Sequence, residues 1–340
     1  MHGTLRRSPQ LMIANIEQLA IQRGDSPQIW SLSDGRAGNA RQADALAAAL
    51  GGASQILRLE PHAPWRWFAP RQLVGAGHAF GSGFHRALPA PPAVAIGCGR
   101  QAALATRLLR QRGASAVQIL DPRIDPRHWD AVIAPAHDGL SGANVIALLG
   151  SLHPVDDHWL QEARAGFPDV GALPAPRTAL LLGGPTANAR WDAARIERLL
   201  DPLLDLRAQT AGSLLATVSR RTPPAIVDLL RRRLDGVPGL LWTGPADGSN
   251  PYPGLLAWAD RIVCSPDSVN MVSEACATRA PVHVFDTALA RSRPRRFLEA
   301  LAARGRLAGI DAGPGHAVEP LRETARVAAE IRARLGLGAH

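Results

Sequence analysis

Several turns that follow short apolar runs contain residues suited to binding phosphate. Two glycines follow TALLL, and the stretch SRRTP, residues 219–223, follows SLLA. Glycine lets backbone N–H groups approach an anion closely, and the planar arginine side chain matches phosphate oxygens. We therefore predict a diphosphate-binding site formed by Gly183, Gly184, Ser219, Arg220, Arg221 and Thr222. The alternative for Thr222 is a simple cap on the next helix.

The segment ADRIVCSPDSVNMVSEAC, residues 259–276, leads from a strand-like run into a helix. A carboxylate one to two turns into that helix can accept from ribose hydroxyls while the helix start meets a phosphate. The predicted nucleotide contacts are Ser268, Asn270, Met271 and Glu274. In the alternative interpretation, Asp267 or Ser268 only caps the helix and Glu274 is solvated.

A third turn, SDGRAGN, residues 33–39, has two glycines that can bring backbone donors close to an anion, although a purely structural turn is an equal alternative. Candidates for a general base are His137 and Asp138, which follow AVIAP, and Asp34 in this turn. A His-Asp pair of this kind is also common as plain loop structure. Neither HExxH, a Walker lysine, GxSxG nor a metal-ligand spacing occurs, so we expect no metal and no cofactor.

The elements that must position these turns alternate between apolar runs and helical patterns, which is typical of parallel strands joined by crossover helices. We predict a doubly wound α/β fold with two Rossmann-like domains. Helical periodicity stops at about residues 165–177, and we place the boundary there: an extension over 1–26, domains over 27–170 and 171–340, and a last helix that packs back on the first domain. The stretch 61–92 has no regular period and is expected to be a flexible excursion or an interaction surface.

Composition limits the classes of protein to consider. The net charge of +9 comes from arginine alone, since the chain has no lysine, and 46% of residues are hydrophobic. An anionic ligand or membrane surface fits this charge, whereas nucleic acid is the less favoured partner. No apolar run is long enough to span a bilayer, so we expect a cytoplasmic protein, with a peripheral position at the inner membrane face as an alternative. The three distant cysteines predict no disulfide framework.

Several of these stretches together resemble the Elm-type mitochondrial fission family, which has bacterial as well as plant members. They are WSLSDGRAGNARQADALAAALG, QILDPR, APAHD, LLGGP, SRRTP, NPY and DSVNMVSEACAT. The family is similar to GT-B glycosyltransferases, in which two domains face each other across a cleft. The resemblance implies a nucleotide-sugar donor on the C-terminal domain, with Glu274 at the ribose. It also implies an acceptor-side loop at Gly35, Arg36 and Gly38.

The sequence therefore predicts a metal-independent glycosyltransferase. Its donor is a nucleotide-diphosphate sugar, and its acceptor is an unidentified hydroxyl on a lipid or an envelope glycan. The rival interpretation is a non-catalytic recruitment or scaffold protein that keeps the transferase fold. The nucleotide, the sugar and the base remain open at this point.

Overall fold

The computed structural model describes residues 28–312 and 318–338. The predicted N-terminal extension, 1–26, lies outside the described residues. The chain divides into two compact units, one formed by residues up to Leu148 together with those from Thr324, the other by Leu149–Glu323.

The first unit is built on one six-stranded parallel sheet. Its strands are β1 (Ile29–Ser33), β2 (Ser54–Arg58), β3 (Val94–Cys98), β4 (Ser115–Ile119), β5 (Ala131–Pro135) and β6 (Val145–Leu148), in the order β2-β1-β3-β4-β5-β6. Its first four helices are α1 (Ala37–Leu50), α2 (Trp65–Phe68), α3 (Gly81–Ala87) and α4 (Arg100–Arg110). The order in which successive strands are added to the sheet reverses between β1 and β3, whose last residues Ser33 and Cys98 are partners in register.

The second unit contains a five-stranded parallel sheet. Its strands are β7 (Arg177–Leu182), β8 (Ser213–Val218), β9 (Gly239–Trp242), β10 (Arg261–Cys264) and β11 (Val282–Val284), in the order β11-β10-β7-β8-β9. Its helices are α5 (Asp157–Gly166), α6 (Pro168–Ala172), α7 (Ala193–Thr210), α8 (Pro224–Arg233), α9 (Tyr252–Trp258), α10 (Val269–Cys276) and α11 (Ser292–Ala303). The reversal falls between β7 and β10. The predicted α/β class with two parallel sheets is confirmed.

Alternate residues of the buried strands cover the two faces of the second sheet. Ala179 and Leu181 of β7 pack with α5, α9 and α10, while Leu180 and Leu182 pack with α7 and α8. A strand buried on both faces reads as a continuous apolar run, as RTALLL does. The apolar runs therefore fix the position of β7 in the middle of the sheet.

The division between the units falls after Leu148, whereas the sequence placed it near residue 170. The reason is α5, because Leu160 and Ala163 on its apolar face are buried in the core of the second unit. The last helix, α12 (Thr324–Leu335), packs against α1 in the first unit, and its Arg332 donates to the carbonyl of Ala49 at 2.6 Å.

The stretch 61–92 is more ordered than its composition predicts. It contains α2 and α3, and Phe80 and Phe84 are 6% and 1% exposed in the core of the first unit. The expectation of a flexible excursion therefore does not describe these residues, because aromatic side chains anchor the stretch to the sheet.

Candidate functional site

The C-terminal ends of β7 and β10 lie side by side at the point where the order of the second sheet reverses. In open parallel sheets, ligands bind in the crevice beyond the strand ends at such a switch point. Three turns leave the sheet at or next to this place: Gly183-Gly184 after β7, 219–222 after β8, and 265–268 after β10. We call them the three-turn junction.

Direct hydrogen bonds join the three turns. The backbone N–H of Gly183 donates to the hydroxyl of Ser265 at 2.8 Å. The hydroxyl of Thr222 donates to the carbonyl of Gly183 and accepts from the N–H of Ser219 at 3.0 Å. Thr222 therefore ties β8's turn to β7's turn and is not the cap of α8, which begins at Pro224.

Asp267 lies at the centre of the junction, and its side chain is fully buried. Its carboxylate accepts from the N–H of Gly184 at 2.9 Å, from the indole of Trp191 at 3.1 Å and from the guanidinium of Arg221 at 3.2 Å. This is the arrangement of donors that an anion requires, and an internal carboxylate already uses part of it. From the sequence, Asp267 was considered only as a possible helix cap. The structure shows that Ser268 caps the helix instead.

Both glycines of the junction are needed for close approach. A Cβ on Gly183 would overlap the carboxylate of Asp267, and a Cβ on Gly184 would lie 2.5 Å from the Cβ and the carbonyl oxygen of Arg221. Any larger residue would push the turns apart.

Helix α10 begins directly at the junction. The hydroxyl of Ser268 caps it by accepting from the N–H of Met271 at 3.4 Å. The N–H of Val269, the first helical residue, has no acceptor within the helix, and half-buried Asn270 follows it. The helix start, the half-exposed guanidinium of Arg221 and the exposed Arg220 together give this strand end a positive character.

Glu274, 3% exposed, is buried rather than solvated. Its carboxylate accepts from the hydroxyl of Tyr252, the chain's single tyrosine, at 2.6 Å. Tyr252 is the first residue of α9, so this bond connects α9 with α10. Met271, also predicted as a nucleotide contact, packs against the core of this unit. Neither Tyr252 nor Trp191 was predicted as a site residue. Tyr252 does lie in NPY, one of the stretches that resemble the family.

The predicted acceptor-side turn lies at the switch point of the first sheet. Asp34 organises it: its carboxylate accepts from the N–H of Arg36 at 3.2 Å and from the amide of Asn39 at 3.0 Å. Gly35 has φ +75°, a backbone conformation that favours glycine. Gly38 lies in the first turn of α1, where its carbonyl accepts from a glutamine side chain. The carboxylate of Asp34 therefore holds the shape of the turn through these two hydrogen bonds.

His137 and Asp138 follow β5 in a short 3-10 turn, and their side chains are only 7% and 5% exposed. The His137 Nε2 lies 3.9 Å from a carboxylate oxygen of Asp138. Asp34 follows β1, and strands β3 and β4 separate β1 from β5, so the two strand ends are about 14 Å apart at ordinary strand spacing. The structure therefore does not bring the three predicted bases together.

Three further features of the described residues concern metal ligands, thiols and membrane-spanning helices. Across residues 28–312 and 318–338, no cluster of His, Cys, Asp and Glu is arranged to hold a metal ion. The three cysteines are buried, and burial raises the pKa of Cys98 and of Cys264 well above the usual thiol range. In the same part of the chain, no helix is both long and apolar enough for a membrane span.

Solved structures show the same fold at low identity. The UDP-GlcNAc 2-epimerase of Methanocaldococcus jannaschii superposes with a TM-score of 0.58 at 13% identity, covering 92% of this chain and 99% of that one. The S. aureus MnaA–UDP structure gives 0.50 at 12% identity, covering 92% and 98%. These likenesses support a GT-B-like α/β fold with two parallel-sheet domains.

Relatives by sequence are more specific. The Arabidopsis thaliana mitochondrial fission protein ELM1 is 31% identical over 276 residues, which is 72% of this chain and 64% of that protein. An uncharacterized protein of Rickettsia prowazekii is 26% identical over 302 residues, covering 76% and 82%. The chain thus spans less than two thirds of the plant relative's length. The family described as mitochondrial fission ELM1 matches residues 37–335, and the chain belongs to that family.

Proposed function

We propose that this protein binds a nucleotide-diphosphate sugar at the three-turn junction and transfers the sugar to an acceptor hydroxyl. The observation that carries the proposal is the convergence of the three turns on one point beside the start of α10. The two solved structures above support the ligand class, since one is named a UDP-GlcNAc 2-epimerase and the other a complex with UDP.

The diphosphate takes the N–H of Val269 at the start of α10 and the exposed side of Arg221. An arginine and a helix N-terminus both favour negative charge, and they stabilise the diphosphate further as it leaves the sugar. Glu274 accepts from the ribose hydroxyls, because Tyr252 holds its carboxylate in one orientation and a carboxylate can accept several hydrogen bonds.

For the base we propose His137, with Asp138 beside it, because Asp34 is already committed to its own turn. Its target is a hydroxyl on a lipid or an envelope glycan. Changing His137 to Asn should leave nucleotide affinity unchanged and slow turnover of the sugar nucleotide. Equal turnover in the variant would remove His137 from the mechanism.

Calorimetry with UDP, GDP, CDP and ADP tests the donor site directly. We expect one of them to bind in the micromolar range, and Arg221→Gln and Glu274→Gln each to weaken it about tenfold or more, since each removes a charged hydrogen bond. Arg232→Gln, on the exposed side of α8, is the matched control and should bind as the unchanged protein does. Equal affinity in all three variants would place the nucleotide elsewhere.

A non-catalytic scaffold is the second candidate, and one observation favours it. Asp267 already neutralises part of the positive charge at the junction, which is what a fold retained for shape alone can tolerate. In that case no nucleoside diphosphate binds, and substitution of Arg221 has no effect on the protein's interactions.

A further inference from the structure

Helix α2 and the turn after it, which together we call the loop Trp65–Val74, expose apolar side chains to an unusual degree. Trp67 is 65% exposed, Phe68 48% and Val74 100%, and these are the large apolar side chains exposed in the described part of the chain. Single exposed apolar residues are ordinary, but three within one loop mark an interaction surface.

The loop is fastened to helix α4 through its backbone. Arg100 donates to the carbonyls of Trp67 and Arg66 at 3.5 and 3.3 Å, and Arg107 donates to the carbonyl of Pro70 at 2.6 Å. These three carbonyls are thus satisfied by the protein, while the Trp67 side chain remains exposed.

Two side-chain contacts fix the end of the loop. Gln72 and Gln111 exchange amide hydrogen bonds of 3.1 and 2.9 Å, and the indole of Trp65 donates to the carbonyl of Val74 at 3.2 Å. A loop held at several points loses little conformational entropy when it binds. The exposed side chains are therefore presented in advance of any contact.

The surrounding sequence carries charge of one sign only. Residues 61–120 contain seven arginines, three histidines and not one aspartate or glutamate. Within the described residues, Arg110 is the only one of the seven in an ion pair, with Asp130 at 2.8 Å. Arg66 and Arg71 flank the exposed aromatic residues and are themselves exposed. The segment therefore combines exposed apolar side chains with exposed arginines next to them in sequence.

An anionic lipid bilayer fits both properties. Tryptophan and phenylalanine enter the headgroup region, and arginines attract lipid phosphates. A peptide partner would need a groove or an open strand edge, whereas this surface is a loop whose own apolar side chains are exposed. We propose that the loop Trp65–Val74 docks the protein on an anionic membrane surface through Trp67, Phe68, Val74 and the neighbouring arginines. The surface lies in the first unit, and the proposal is independent of the nucleotide site in the second.

Flotation of the full chain with vesicles tests the proposal. We expect binding to phosphatidylcholine vesicles that contain phosphatidylserine and little binding to phosphatidylcholine alone. Trp67→Ala with Phe68→Ala should reduce partitioning by about tenfold for each side chain. Arg66→Ala with Arg71→Ala should reduce it by about fivefold for each charge. The charge-matched control is Arg232→Ala with Arg304→Ala, two exposed arginines of the second unit, and it should lose little.

Thermal unfolding of every variant should match the unchanged protein, because the replaced side chains are exposed. The proposal is overturned if the protein ignores anionic vesicles, or if the loop variants and the control lose binding equally. It is also overturned if the Trp67 and Phe68 changes convert an oligomer to a monomer without altering vesicle binding, since a second copy would then be the occupant. Tight binding of single-stranded RNA that competes with vesicles through Trp67 would assign the surface to nucleic acid instead.

Discussion

Replacing Asp267 by asparagine tests the three-turn junction at its centre with almost no change of volume. In the unchanged protein the two carboxylate oxygens accept from Gly184, Trp191 and Arg221. An asparagine keeps one oxygen and turns the other into a donor. The least costly orientation keeps the oxygen on the side of Gly184 and Arg221, and leaves the indole N–H of Trp191 facing another N–H.

The magnitude follows from burial. The indole of Trp191, 4% exposed, loses its acceptor, and an unsatisfied buried donor costs about 1–3 kcal/mol. The guanidinium of Arg221 is 55% exposed, so loss of its charged partner adds about 1 kcal/mol or less. We therefore expect Asp267→Asn to lower the free energy of unfolding by about 2 kcal/mol, mostly through Trp191.

Urea unfolding followed by circular dichroism measures the effect. Asp201→Asn is the matched control, because Asp201 also accepts from an arginine, Arg233 at 2.7 Å, but is 61% exposed. That control should change stability by about 0.5 kcal/mol or less.

A double mutant with Trp191→Phe identifies the cause. Phenylalanine removes the indole N–H that Asp267→Asn leaves without an acceptor. Trp191→Phe should therefore lower the free energy of unfolding by about 1 kcal/mol less in the Asp267→Asn background than in the unchanged protein. Equal cost in both backgrounds, or an Asp267→Asn protein as stable as the control, would refute the view that this carboxylate holds the turns together.

Three further outcomes are expected. Gly184→Ala should destabilise the protein by about 1–3 kcal/mol, because its Cβ would lie 2.5 Å from Arg221; a thermal midpoint equal to that of the unchanged protein would contradict this. The thiol of Cys264, whose pKa burial raises, should react with Ellman's reagent at pH 8 only after unfolding, and rapid labelling of the folded protein would show that it is accessible. Hydrogen bonds from Arg127 lower the pKa of Asp125 to about 2, so the pair persists as the pH falls until it nears that value; Arg127→Ala should return the carboxyl to its ordinary range in an NMR titration.

Sequence periodicity was sufficient for most strands of the parallel sheets, including short ones such as β10. Strands such as β7 and β8 are continuous apolar runs and are recognisable alone. Strand β6 was not predicted, because no helical pattern separates it from β5 and the prediction relied on strands that alternate with helices. Helix α6 is five residues long and falls within the stretch where the sequence predicted the domain boundary.

The candidate site was predictable in its parts but not in its connections. SRRTP and DSVNMVSEA both indicated phosphate binding, and the fold places them side by side. The partners of Asp267 could not be inferred, since Trp191 lies 76 positions away and reaches it only through the strand order. The bond between Tyr252 and Glu274 spans two helices for the same reason.

The internal carboxylate at the junction has a consequence for selectivity. Donors that are already satisfied hold their geometry without a guest, so binding requires little rearrangement. The same carboxylate repels a second anion, so under the proposed function we expect a small ion such as inorganic phosphate to bind weakly at the junction. A sugar nucleotide would offset that repulsion through the contacts of its sugar and its nucleobase. We therefore expect Asp267 to favour a sugar nucleotide over small free anions.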